Sequence, residues 1–166
     1  MSSVIIALGS NLSDRLGTLQ AGVDAIAKLP GVSVTGVSPV YETAPVGGPE
    51  QPNYLNAVLA ARVNAPARDL LDRLHEIEAA AGRVREVRWG ARTLDLDIIA
   101  YGSEVSDDPV LTLPHPRAAS RPFVLAPWHD LDPSARLPGS GTVAALLAAL
   151  PVDGVRRTDL ELRLPS

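Results

Sequence analysis

The chain has 166 residues, 46% of them hydrophobic, which is enough for one domain with a sizeable core and excludes a disordered chain. Lys plus Arg at 15 against Asp plus Glu at 19 gives a formal net charge of −4, which argues against a nucleic-acid binder held by general basicity. The absence of cysteine excludes disulfides, thiolate nucleophiles and cysteine zinc sites.

The first element is expected at Val4 to Leu8, a short apolar run that stops at Gly9-Ser10-Asn11, with Ser13 or Asp14 placed to cap the helix that follows. In that helix Leu16, Leu19, Val23 and Ile26 recur at helical spacing until Pro30-Gly31 ends it. Val32, Val34, Ser38 and Val40 alternate as a second strand whose Pro39 points to an edge or a bulge. Thr43 to Asn53, rich in Pro and Gly, reads as a long loop, and Leu55 to Val63 as the third strand. Pro66 opens a second helix with Leu70, Leu71, Leu74 and Ile77 on one face, closed by Gly82. A polar loop, Arg83 to Arg92, leads to a fourth strand over Thr93 to Tyr101. This order is the ferredoxin-like β-α-β-β-α-β pattern of an α+β domain, an antiparallel sheet with two helices on one face.

The rest is divided by Pro109, Pro114, Pro116, Pro122, Pro127 and Pro133 and reads as an irregular C-terminal extension. It holds a short helix at Phe123 to Leu131, a better one at Val143 to Leu150, and an edge strand in the last residues. No apolar run approaches the ~20 residues of a membrane span, and Met1-Ser-Ser-Val lacks the start of a signal peptide, so a cytoplasmic protein is expected.

The chemistry concentrates around Leu94-Asp95-Leu96-Asp97-Ile98. Strand alternation puts both aspartates on one face and the apolar residues on the other, with the two Cα atoms about 6.5 to 7 Å apart. Such hard oxygen ligands suit Mg²⁺, which takes one or two carboxylates and completes its shell with water and substrate phosphates. An exposed strand face that happens to carry two acids is the plain alternative. Directly before the strand, Arg83, Arg85, Arg88 and Arg92 fall within ten residues, although arginine is common throughout: 14 of the 15 cations are Arg and only Lys28 is Lys. Guanidinium forks pair with phosphate oxygens, so this cluster beside a Mg²⁺ site suits a polyphosphate, whereas a solvated loop is the bland reading. Trp89 in the same stretch weakens the bland reading, because an indole needs a surface to cover and a flat heteroaromatic ring would serve.

If Leu55, Ala57 and Leu59 face the helices, Asn56 faces the opposite side of the sheet together with Asp95 and Asp97. An amide there offers donors and acceptors for the edge of a heterocycle, or else satisfies neighbouring backbone. His115, between two prolines, is placed to contact phosphate or to serve structure. The P-loop motif G-x-x-x-x-G-K-[ST] and the protein-kinase motif set are both absent.

Arg88-Trp-Gly-Ala-Arg-Thr-Leu-Asp-Leu-Asp-Ile-Ile99 resembles the signature of the 6-hydroxymethyl-7,8-dihydropterin pyrophosphokinase family of folate biosynthesis. Ala7-Leu-Gly-Ser-Asn-Leu12, Tyr41-Glu-Thr-Ala-Pro45, Gln51-Pro-Asn-Tyr-Leu-Asn56, Gly82-Arg-Val-Arg85 and Leu113-Pro-His-Pro-Arg117 resemble that family in the same order, across roughly residues 4 to 133. The resemblance implies a single pyrophosphokinase domain over residues 1–166 that moves pyrophosphate from ATP to the pterin's hydroxymethyl group and releases AMP. By position, it implies that Asp95 and Asp97 bind two Mg²⁺ ions. Arg83, Arg92 and Arg121 would neutralise charge around the transferred group, with Arg85 and Arg88 on the Arg-rich loop and His115 on phosphate. His75, Glu78, Ile98 and Thr112 would also contact the nucleotide. Thr43, Ala44, Val46, Tyr54, Asn56, Asp95, Trp89 and Phe123 would form the pterin pocket, the ring lying between Trp89 and Phe123. His75 and Pro116 depart from the residues expected there, Gln and, in some members, Tyr. The resemblance also implies a monomer.

Two other classes stay open on the residues alone. The same element order occurs in single-stranded RNA-binding modules, which stack bases on sheet aromatics, but this chain has one Phe, three Tyr and two Trp, none in an aromatic-rich strand motif. A relative that binds pterin or nucleotide without catalysis is the third reading.

Overall fold

A computed structural model describes residues 1–11, 14–43, 53–82, 94–151 and 154–165. Its centre is β1 (Ser2–Ser10), the first apolar run, which pairs antiparallel with β4 (Tyr54–Val63) on one side and β5 (Asp95–Tyr101) on the other. β2 (Val32–Val37) and β3 (Tyr41–Thr43) both lie along the outer edge of β4, and β10 (Val155–Arg157) continues the sheet beyond β3. Two small hairpins, β6 (Ser106–Asp108) with β7 (Leu111–Leu113) and β8 (Arg136–Leu137) with β9 (Gly141–Thr142), stand apart from this sheet.

The expected single strand over Val32 to Val40 is therefore interrupted. Pro39 has no N–H to give to a ladder, and Ser38 bridges the break: its N–H donates to the Val58 carbonyl at 2.8 Å and its hydroxyl accepts from the Val58 N–H at 2.8 Å. Tyr41–Thr43 then resumes pairing with β4, where the sequence pattern suggests only the start of a loop. The element order becomes β-α-β-β-β-α-β before the C-terminal third.

Helix α1 (Arg15–Ala27) begins where Asp14 caps it, a side-chain oxygen accepting from the Gly17 N–H at 3.1 Å. It buries Leu19, Val23 and Ile26, and α2 (Ala67–Gly82) buries Leu70, Leu71 and Leu74, against the Leu8, Leu59, Leu96 and Ile98 face of the sheet. Those side chains are the ones that sequence periodicity assigns to the core. Among the described residues, no helix is long and apolar enough to cross a membrane.

The C-terminal third is not an irregular extension but the second covering layer. A short 3-10 turn at Ala118–Ser120 leads into α3 (Pro122–Leu131), and α4 (Val143–Ala148) follows β9. Val124, Leu125 and Trp128 of α3 pack with Val58, Ile99 and Val143 into a second core on the opposite face of the sheet. Among the described residues, helices thus pack on both faces of the sheet, unlike the exposed sheet face on which RNA-binding modules stack bases.

Charged and polar contacts tie the outer edge to these layers. Glu42 accepts from Arg15 at 2.9 Å and from Arg156, and both partners hold its carboxyl below the ordinary range. The Tyr41 hydroxyl donates to Asp130 of α3. Burial and that carboxylate push the phenol up to about 12, so it remains a donor at neutral pH.

If the C-terminal layer is integral, Trp128→Ala, at a side chain 3% exposed, should cost about 3 to 5 kcal/mol in urea unfolding with a single transition. A cost below about 1 kcal/mol would make that layer an appendage.

Candidate functional site

The register of the three central strands builds the site. Gly9 of β1 stands opposite Asn56 on one side and Asp95 on the other, and Ala7 stands opposite Val58 and Asp97. Asn56 and Asp95 are thus separated by two strand spacings, about 10 Å, on the face that α3 covers. Between them the floor is glycine and alanine. A Cβ on Gly9 would come within 3.1 Å of the Asn56 Oδ1 atom, so the missing side chain there is what keeps the amide and the space beside it in place.

The start of α3 roofs this floor, with Arg121, Pro122, Phe123 and Val124 across from Asp95 and Asp97. The cleft has a volume of about 610 Å³, and Thr43, Tyr54, Gly154 and Val155 close its far side. Asn56 is buried, 7% exposed, and its Nδ2 donates to the Thr43 hydroxyl at 2.7 Å. The Arg121 guanidinium carbon lies 5.6 Å from the centre of the Phe123 ring. That distance holds a cation over an aromatic face at the cleft wall.

Glu78 of α2 reaches the strand that carries the aspartates from its outer edge: a carboxylate oxygen accepts from the Leu96 N–H at 2.8 Å. Burial pushes its carboxyl above the ordinary range, the Leu96 N–H opposes this, and the Asp95 and Asp97 charges add to the rise while His75 opposes it. His115 is fixed next to the same strand, its N–H donating to the Ile99 carbonyl at 2.9 Å. Its Nδ1 accepts from the Arg117 N–H at 3.2 Å, which places the ring proton of the neutral form on Nε2. Desolvation pushes its pKa down, against the pull of Asp97 and with the help of Arg121 and Arg117, so the ring is a neutral donor at pH 7.

Of the residues expected from sequence, the structure brings Thr43, Tyr54, Asn56, Asp95, Asp97, Arg121 and Phe123 to one cleft. Ile98 points the other way: its side chain is 4% exposed within the α1 and α2 core and does not reach the cleft. Thr112 sits on β7 with its hydroxyl donating to the Asp108 carbonyl at 3.0 Å, and His75 is exposed one turn from Glu78. Ala44, Val46, Arg83, Arg85, Arg88, Trp89 and Arg92 lie outside the described residues. Sequence reasoning did not anticipate the small floor of Ala7 and Gly9, although both sit in a motif, nor that Gly154 and Val155, at the edge strand expected in the last residues, line the cleft.

The metal question turns on the donor set. Among the described residues no group of three or more His, Asp or Glu side chains converges as a cation cage. Two carboxylates on one strand face, beside a cleft open to solvent and substrate, instead fit Mg²⁺, which keeps several water or phosphate ligands.

Comparison with known proteins matches the 7,8-dihydro-6-hydroxymethylpterin-pyrophosphokinase (HPPK) family over residues 5–133. A 2-amino-4-hydroxy-6-hydroxymethyldihydropteridine pyrophosphokinase of Pseudomonas aeruginosa is 46% identical over 154 residues, spanning 93% of this chain and 95% of that protein. The protein of the same description from Mycobacterium leprae is 45% identical over 181 residues, spanning 99% and 93%. Among solved structures, a Plasmodium falciparum HPPK-DHPS wild type with STZ-DHP superposes with a TM-score of 0.68 at 13% identity. The match covers 89% of this chain and 43% of that one, so it speaks for the fold alone.

The Glu78 contact is open to a ligand-free test. Glu78→Leu leaves the Leu96 N–H without its acceptor and should cost about 1 to 3 kcal/mol in urea unfolding, whereas Glu78→Gln, which keeps an acceptor, should stay within about 0.5 kcal/mol of the parent. Equal losses in the two variants would show that the contact does not hold the strand edge.

Proposed function

The chain belongs to the 7,8-dihydro-6-hydroxymethylpterin pyrophosphokinase family, and from that premise we propose how its cleft divides the work between two substrates. The reaction is transfer of pyrophosphate from ATP to the hydroxymethyl group of 6-hydroxymethyl-7,8-dihydropterin. In our reading the pterin lies at the end formed by Thr43, Tyr54, Asn56 and Phe123, with Trp89, Ala44 and Val46 completing its pocket. ATP lies at the end formed by Asp95, Asp97, His115 and Arg121, with Arg83, Arg85, Arg88 and Arg92 around its phosphates. The observation that carries this division is the register, which sets an amide and a pair of carboxylates on opposite sides of one glycine floor.

The pterin end is suited to reading a ring edge. Asn56 spends one N–H on Thr43, leaving its second N–H and its carbonyl for the heterocycle. The ATP end is suited to charge. Asp95 and Asp97 would hold Mg²⁺, two ions in the expected complex, and the metal when bound neutralises and orients the phosphates. Arg121 and the neutral Nε2–H of His115 would donate to phosphate oxygens from the roof and from the strand edge.

Chemically, the hydroxymethyl oxygen forms a bond to the β-phosphorus as the bond from that phosphorus to the bridging oxygen of AMP breaks, and the hydroxyl proton is lost. The protein's share is positioning in line and neutralising charge, as in other phosphoryl transfers. Asp95 stands nearest the boundary between the two ends, level with Asn56 across Gly9, and in this reading it meets both substrates.

Further parts of the reading concern context. The strand order β5-β1-β4-β2, antiparallel throughout with two helices on one face, supports a ferredoxin-like core, elaborated by β3, β10 and the second helical layer. We read the protein as one domain that acts as a cytoplasmic monomer.

Incubation with ATP, Mg²⁺ and the hydroxymethyl dihydropterin should give pterin-dependent AMP. Asp97→Ala and Arg92→Ala should each lower turnover by about 10³-fold or more with unchanged far-UV circular dichroism. ADP as the product, or near-normal turnover in either variant, would overturn the assignment.

A further inference from the structure

β10 takes no part in the chemistry described above, yet it is built into the cleft. Val155 is the register partner of Thr43, and Gly154 and Val155 line the cleft beside it. The ladder continues with Arg156 opposite Glu42 and Arg157 opposite Tyr41. The strand it attaches to, β3, is three residues long and is joined to β4 through three register pairs. So short a strand has little ladder of its own, and what lies on its outer edge decides how firmly Thr43 is held.

Both faces of β10 are anchored. On one face, Glu42, only 18% exposed, takes Arg156 and also Arg15 of α1, and Arg15 donates in turn to the Asn53 carbonyl at 2.8 Å, just before β4. On the other face, Asp130 of α3 lies 3.7 Å from Arg157 and accepts the Tyr41 hydroxyl. Charged pairs with one partner mostly shielded and shared between several elements are worth more than isolated surface pairs.

The chain beyond β10 is anchored as well. Thr158 donates both its N–H and its hydroxyl to the Val40 carbonyl, at 2.9 and 2.8 Å. Leu162 enters the main core, and Gln20 of α1 exchanges two hydrogen bonds with the Arg163 backbone, at 3.0 and 2.8 Å. Residues 155 to 163 therefore form a strap that runs from the cleft to the back of α1, pinned at each stage.

We propose that β10 is the outer wall and brace of the heterocycle subsite, with Val155 a specificity-determining contact and Arg156 and Arg157 positioning residues for Thr43. The proposal rests on the reading that Thr43, Tyr54 and Asn56 take the pterin. Val155 supplies apolar surface at the sheet-edge side of the ring. The two arginines fix β3, so that the Thr43 hydroxyl turns the Asn56 amide in one sense and leaves one defined pattern of donor and acceptor for the substrate.

The test uses the full chain and compares Val155→Ala, the double variant Arg156→Ala/Arg157→Ala, and Asn56→Ala as the marker of the subsite. Steady-state constants are measured for both substrates, with circular dichroism and thermal unfolding on each variant. Val155→Ala and the double variant should each raise the KM for the pterin by about five- to tenfold while the KM for ATP stays within about twofold, a split that general loosening of the fold would not give. If the double variant fails to fold, Val155→Ala alone decides, since it removes only two methyl groups at a half-buried position. A pterin KM within about twofold of the parent in the folded variants, or an ATP KM that rises in step, overturns the proposal. Should Asn56→Ala weaken ATP and not the pterin, the subsite assignment itself falls and the wall with it; should Asn56→Ala weaken the pterin while the β10 variants do not, only the wall falls.

Discussion

The pairing register of β1 between β4 and β5 is the constraint from which the site follows. Side chains alternate along a strand, so a slip of one residue would turn Asn56, Asp95 and Asp97 into the α1 and α2 core and bring Leu55, Leu96 and Ile98 to the cleft. The core forbids this slip, because Leu8, Leu59 and Leu96 are buried on the helix face and three apolar side chains would be exchanged for an amide and two carboxylates. The same packing that stabilises the fold therefore sets the polar groups of the site in rank. Gly9 and Ala7 complete the arrangement by leaving room between them.

The second helical layer converts that ranked face into a cleft. A three-stranded face bearing two acids and an amide would be open to water on its own. Val124, Leu125 and Trp128 press α3 onto Val58 and Ile99, and this brings Arg121 and Phe123 over the aspartates as a consequence of apolar packing a turn away. β10 then closes the side that α3 leaves open. The cleft is thus assembled from residues far apart in the chain, and each wall is held by contacts outside it.

Much of this is legible in the sequence where a period carries it. The helical spacing of Leu19, Val23 and Ile26 and of Leu70, Leu71 and Leu74 locates both helix faces, and the two-residue period of Leu94 to Ile98 separates acids from core. The interruption at Ser38 to Val40 is only half legible: Pro39 points to an edge or a bulge, but the apolar alternation runs on across it while the ladder is handed to a serine hydroxyl. In the C-terminal third the two helices are legible, Phe123 to Leu131 as α3 and Val143 to Leu150 as α4, but their packing as a layer over the sheet is not, because burial against a distant face leaves no local period among so many prolines. The edge strand expected in the last residues forms as β10, but its place in the sheet is not legible, because Glu42 and Asp130 hold its arginines and β3 lends it a ladder, and neither cause has a local signature. At Ile98 the strand period assigns the side chain to the core, so the nucleotide contact that the resemblance implies there would fall to its main chain on the edge strand.

One contact has a bearing beyond the cleft. β5 is the last strand on its side of the sheet, and edge strands expose backbone groups that can recruit a strand from another molecule. Here the Leu96 N–H is taken by the Glu78 carboxylate and the Ile99 carbonyl by the His115 N–H. Two backbone groups of an edge that lies beside the cleft are thereby satisfied from within the chain, which leaves less of its ladder for a strand from another molecule.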